Sequence, residues 1–144
     1  MYEPVPPAFL EMQAEIRFLP PAVEFAKNFF ETFPDIAADT QCLYNLQLAV
    51  SEALTNVMKH AYPPDLPGRV SLSLRREEDS VIITVTDKGL PFNPAQIPEP
   101  DLDNPQGHGL GMFFLREVMD SVTYGRSGLT NTLTLTKKLK PCGL

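Results

Sequence analysis

Cysteine is scarce: Cys42 and Cys142 are the only two, far apart and without CxxC spacing. Two thiols so placed make neither a disulfide framework nor a cysteine-based zinc site, and free thiols in a reducing compartment are expected. Basic charge is also short. Lys and Arg number 12 against 18 Asp and Glu, a formal net charge of −6, and nowhere do they form a dense cluster. Nothing offsets repulsion from a phosphate backbone, so direct nucleic-acid binding is excluded and a small molecule or a protein is the expected ligand. No apolar run approaches the ~20 residues that cross a bilayer. Met1-Tyr2-Glu3-Pro4 carries no basic stretch leading into an apolar one. Neither a membrane span nor a secretory signal is expected, which points to the cytoplasm. Internal repeats and charge blocks are missing as well.

What remains is an ordinary globular composition, 43% apolar and 21% charged over 144 residues. That is enough chain to bury one hydrophobic core without disulfides or metal. One domain over 1–144 is expected, with residues 1–10 as a disordered or extended tail. The 15 prolines concentrate at the start, around 63–67 and between 91 and 105, where they punctuate elements rather than fill them.

Met12 to Leu19 alternates weakly and reads as a strand. Pro20-Pro21 opens a helix through Phe33, with Val23, Ala26, Phe29 and Phe30 on one stripe, and Pro34 stops it. A second helix from Thr40 to Ala61 repeats Leu43, Leu46, Val50, Ala53, Leu54, Val57 and Ala61 at the helical period. Val70–Leu74 and Val81–Val85 alternate around Glu77-Glu78-Asp79 as a hairpin. Residues 88–108 have no periodicity and read as a lid or binding loop. A third helix follows from Gly109 to Met119, then strands over Ser121–Tyr124 and Thr130–Lys137. The expected class is α+β: a two-layer sandwich, helices over one face of a mainly antiparallel, mixed sheet.

Three short patterns carry chemistry. On the second helix Glu52 and Asn56 are four residues apart and share a face, with Lys59 and His60 a turn further on. Such a set also makes an ordinary solvated surface. Asp87-Lys88-Gly89-Leu90-Pro91-Phe92 follows a strand. It reads either as a simple turn or as a carboxylate for an exocyclic amine, with Gly89 admitting a flat ring. Gly107-His108-Gly109-Leu110-Gly111-Met112 leads into a helix. Alternating glycines there leave N–H groups free at the positive end of the helix dipole, a phosphate cradle, though a lid hinge has the same composition. The pattern lacks the Lys-Ser or Lys-Thr of a P-loop and does not sit in a βαβ unit.

In this order the three patterns resemble the GHKL, or Bergerat-fold, ATPases. Ser51-Glu52-Ala53-Leu54-Thr55-Asn56-Val57 with Lys59-His60-Ala61-Tyr62 is similar to the N box of the anti-sigma-factor serine kinases. Gly109-Leu110-Gly111-Met112 resembles their glycine box, and Asn131-Thr132-Leu133-Thr134-Leu135 their last strand. The likeness runs from Met12 to Lys137.

The resemblance implies ATP and Mg²⁺ as cofactors, with Asn56 as the metal ligand and Glu52 as general base on the acceptor hydroxyl. It implies Asp87 at the adenine amine with Gly89 beside the ring. Gly107, His108, Gly109, Leu110 and Gly111 would lie at the phosphates with Lys59 reaching them, and Thr132 beside the adenine. It further implies a homodimer that phosphorylates an antagonist protein and alternates between that antagonist and a sigma factor. His108 and the Asn-Thr start of the last strand depart from the family's usual residues. His60 reads as a packed or hydrogen-bonded histidine, since a phosphoacceptor histidine sits on a separate dimerisation helix. A nucleotide-responsive binding module and a detached histidine-kinase catalytic domain are the competing functions.

Overall fold

The structure, a computed structural model, describes residues 4–63, 65, 66, 68–91 and 110–140. In chain order these form β1 (Ala8–Gln13), a 3-10 turn (Ile16–Phe18), α1 (Leu19–Glu31), α2 (Pro34–Ala37) and α3 (Thr40–Asn56). A π turn (Val57–Ala61), β2 (Arg69–Arg76), β3 (Ser80–Asp87), α4 (Leu110–Val118), β4 (Ser121–Ser127) and β5 (Thr130–Lys138) follow. The five strands make one sheet in the order β1-β2-β3-β5-β4, and every neighbouring pair is antiparallel. The mixed sheet expected from sequence is therefore purely antiparallel among the described residues.

Alternation decides which face is covered. Leu72 and Leu74 of β2, Val81, Ile83 and Val85 of β3, and Leu133 and Leu135 of β5 are buried beneath the helices. Ala22, Ala26 and Phe30 of α1, Leu46, Val50, Ala53 and Leu54 of α3, and Met112 and Leu115 of α4 close the core from the other side. The intervening strand residues, among them Ser71, Ser73, Thr84, Thr86, Thr132, Thr134 and Thr136, occupy the opposite face, which no helix covers among the described residues. Sheets with one wet face read in this way.

The first strand lies earlier than its sequence suggests. Ala8, Leu10 and Met12 turn inward and pair with β2, whereas Ile16–Phe18 is already a helical turn. Residues 8–10 thus belong to the sheet rather than to a tail; Pro4, Pro6 and Pro7 mask the alternation that starts immediately after them. Pro34 also behaves differently from expectation. It follows the end of α1 but occupies the first turn of α2, where a missing N–H costs nothing. Arg76 then ties α2 to the hairpin, its guanidinium forked on Asp35 at 3.1 and 3.0 Å and stacked 5.1 Å from the Phe33 ring centroid. That guanidinium holds the Asp35 carboxyl below its ordinary value, against a smaller opposing effect of burial. Cys42 is half-buried and free, and burial pushes its thiol up; Cys142 lies outside the described residues. Among the described residues no helix is long and apolar enough to cross a membrane.

Candidate active site

The second helix runs as expected to Ala61, but not as one α-helix. After Asn56 it widens into a π turn through Val57–Ala61, a form that recurs at functional sites. Ala53, Asn56, Val57, His60 and Ala61 line one side of a cleft whose other side is Val85, Asp87, Leu90, Tyr124, Asn131 and Leu133. The lining is apolar except at its ends. The cavity is narrow, about 30 Å³, and Leu90 in its lining is 64% exposed, with room to turn aside.

At the deep end Asp87 accepts two hydrogen bonds on one oxygen, from the Gly89 N–H at 2.8 Å and from Asn131 Nδ2 at 2.9 Å. Its other oxygen takes no hydrogen bond among the described residues. The Asp87–Gly89 contact is the local turn anticipated from Asp-x-Gly, and the same carboxylate also lines the cleft, so the two readings hold together. Gly89 is required for packing: a Cβ there would overlap the backbone of Ala61. Leu90 N–H then donates to the Ala61 carbonyl at 2.7 Å, pinning the Asp87–Leu90 segment to the end of the helix. Tyr62 anchors the same segment from below, donating to Arg69 O at 2.7 Å and accepting from Lys88 N–H at 2.8 Å.

The other end of the site joins α3 to α4. Asn56 Nδ2 donates to the Met112 sulfur at 3.1 Å, and its carbonyl oxygen is uncommitted among the described residues. A Cβ at Gly111 would meet the Glu52 carboxylate. The helix pair thus brings together Glu52, Asn56, Gly111 and Met112, although 56 residues separate Asn56 from Met112. Leu110 opens α4. Gly107, His108 and Gly109 lie outside the described residues, as does most of the long segment read as a binding loop.

Two expectations are corrected, those for Thr132 and His60. Thr132 is not beside the cleft: strand side chains alternate, Leu133 and Asn131 face inward, and Thr132 faces the open side of the sheet. Asn131, 2% exposed, takes the inward position. Lys59 is exposed on the π turn and does not line the cleft. His60 is exposed at the rim, a turn beyond Asn56, and makes no hydrogen bond among the described residues. Asn131 and Tyr124 are the residues sequence reasoning missed. The alternation Asn131, Leu133, Leu135 contains the signal for the first.

The donor set bears on a cation. No group of three His, Cys, Asp or Glu side chains converges among the described residues. A single uncommitted amide oxygen suits Mg²⁺, which keeps water and phosphate as its other ligands.

Comparison with known proteins agrees with this geometry. A model of the histidine kinase-like ATPase domain matches residues 12–137. The serine/threonine-protein kinase BtrW of Bordetella bronchiseptica is 33% identical over 102 residues, covering 68% of this chain and 72% of BtrW. The serine-protein kinase RsbW of Staphylococcus aureus is 30% identical over 147 residues, covering 92% and 87%. With RsbW of Bacillus subtilis the match is 34% over 99 residues, 62% of either chain. Among solved structures, the RsbU and RsbW domains of a Mycobacterium tuberculosis protein superpose with a TM-score of 0.63 at 19% identity. That match covers 96% of this chain and 34% of the other, a likeness of fold.

Proposed function

Since this chain belongs to the histidine kinase-like ATPase family, and within it to the serine-protein kinases of the RsbW and BtrW type, we propose that it moves the γ-phosphoryl group of ATP onto a serine or threonine of an antagonist protein. Partner switching is the biological reading: the kinase alternates between that antagonist and a sigma factor or an analogous regulated protein, and works as a homodimer. The observation that carries the chemistry is the meeting of Glu52 and Asn56 with the start of α4.

In this reading the apolar walls of the cleft take the adenine and the free oxygen of Asp87 accepts its amine. The phosphates run toward the N-terminus of α4, where Leu110 and Gly111 supply backbone donors beside Gly107, His108 and Gly109. Lys59, exposed nearby, reaches toward the same phosphates. Asn56 offers its carbonyl oxygen to Mg²⁺, which supplies neutralisation of charge on the transferring phosphate. Glu52 orients the acceptor hydroxyl and takes its proton as the new O–P bond forms and the bond to ADP breaks.

The experiment is transfer of labelled γ-phosphate to a purified antagonist by wild type and Glu52→Ala. A loss of at least about 100-fold is expected, because a positioned general base contributes 10²–10⁴-fold, while ATP affinity stays within a few-fold. A mutant that still regulates its partner normally in cells would favour a nucleotide-responsive binder instead. Acid-labile phosphohistidine on the target would favour a detached histidine-kinase domain.

A further inference from the structure

Asp87, Asn131 and Arg126 stand in one row across the sheet: Asp87 is the register partner of Asn131 on β5, and Asn131 that of Arg126 on β4. All three turn to the helix side, at the end of the row where the inner face stops being apolar. Asn131 is the only buried polar residue among those described, and its amide is fully used. Nδ2 donates to Asp87 Oδ1 at 2.9 Å, Gly89 O at 3.0 Å and Leu90 O at 3.3 Å. Its Oδ1 accepts from Tyr124 Oη at 2.8 Å and from an Arg126 nitrogen at 2.7 Å.

The amide can face only one way. Arg126 has no acceptor to offer, so the atom beside it must be the carbonyl oxygen; the atom facing a carboxylate and two backbone carbonyls must be the NH₂. Reversed, every contact except that with the Tyr124 hydroxyl, which can also accept, would set like against like. With two N–H groups and two lone pairs all engaged, Asn131 has nothing left for a ligand. Its effect on a ligand must pass through Asp87.

That effect is to divide the Asp87 carboxylate. Oδ1 is held by Asn131 and by the Gly89 N–H, so the plane of the carboxylate is fixed and Oδ2 alone remains for the cleft. A lone, fixed acceptor suits a base that presents an amine at that point and rejects one that presents a carbonyl, because two acceptors would then face each other without a proton between them. We propose that Asn131, oriented by Tyr124 and Arg126, is a positioning residue that sets selection for a 6-amino over a 6-oxo purine nucleotide. This rests on the reading of the cleft as the nucleotide site.

The test compares ATP with inosine triphosphate, in which a carbonyl replaces the amine and the neighbouring N1 carries a proton, by calorimetric titration with Mg²⁺. Wild type is expected to prefer ATP by about tenfold or more, the value of one buried polar mismatch. Asn131→Ala should lower that ratio about tenfold, mainly through weaker ATP binding, with inosine triphosphate affinity changed no more than about twofold. A general loss of fold would weaken both nucleotides together and leave the ratio alone. The double variant Tyr124→Phe/Arg126→Ala keeps Asn131 but removes the donors that orient it, and should lower the ratio at least about threefold.

An unchanged ratio in a folded Asn131→Ala overturns the inference, as does an unchanged ratio in the double variant should Asn131→Ala not fold. Asp87→Asn separates this from the underlying reading. If it binds ATP as wild type does, or if wild type binds no ATP, the cleft is not the base site and the inference falls with it. If Asp87→Asn loses the preference while Asn131→Ala keeps it, only the role of Asn131 is lost.

Discussion

A methyl group at position 111 and one at position 89 meet very different neighbours. At Gly111 it would meet the tip of the Glu52 side chain, which can swing away; at Gly89 it would meet the Ala61 backbone, which cannot. Gly111→Ala should therefore fold with nearly wild-type stability but displace the carboxylate, lowering phosphate transfer by about tenfold or more, read in the labelled-phosphate assay. Gly89→Ala should instead cost about 1–3 kcal/mol of stability through overpacking, read as a lower midpoint in denaturant. Both glycines stood out in the sequence, but for the ligand they admit rather than for the protein groups they abut. Glu52, Asn56 and Asp87 were legible because their neighbours in sequence also define the elements that carry them. Asn131 was not. Its role is defined by Arg126 and Asp87, partners that only the strand register brings beside it.

The elements themselves were legible wherever a period ran uninterrupted. The end of α3 was found as helix, but a π turn has no apolar period of its own, so Lys59 was grouped with Asn56 and His60, beside which it does not line the cleft. Parity along β5 was available and overlooked: choosing Thr132 put the site residue on the wrong side of a strand whose alternation was plain. Between α2 and the β2–β3 hairpin, the Asp35–Arg76 fork carries a pH dependence. The Arg76 side chain is 10% exposed and that of Asp35 38%, so solvent screening keeps the contribution small. The Asp35 carboxyl lies lower in the folded protein than its ordinary 3.8. Its stabilising effect is thus complete above about pH 3.8 and is lost as pH falls through the lower, folded value. Asp35→Asn should flatten the acid limb of the unfolding midpoint against pH and leave its neutral limb parallel to wild type. An unaltered acid limb would show that the fork contributes nothing to folding.

Over the whole molecule the proposed nucleotide site and the core are one construction: α3 gives its apolar stripe to the sheet and its polar positions to the cleft. Ligand binding should then register as global stabilisation. At a free concentration a hundred times Kd, MgATP adds about 2.7 kcal/mol, a rise of roughly 5–11 °C in Tm for a chain near 150 residues. Scanning calorimetry should show that rise for wild type, and Asn56→Ala should remove the Mg²⁺-dependent part of it. The one-sided layering that made the strands readable has a thermal consequence too. The serine and threonine side chains on the open face keep part of their surface in water in the folded chain, so unfolding uncovers apolar surface mainly from the helix-covered side of the sheet. Newly wetted apolar surface is what raises the heat capacity on unfolding. The increment for this fold belongs at or below the low end of the usual range, about 12 cal/mol/K per residue. Its stability consequently varies little across the temperatures between cold and heat, a broad plateau rather than a sharp optimum.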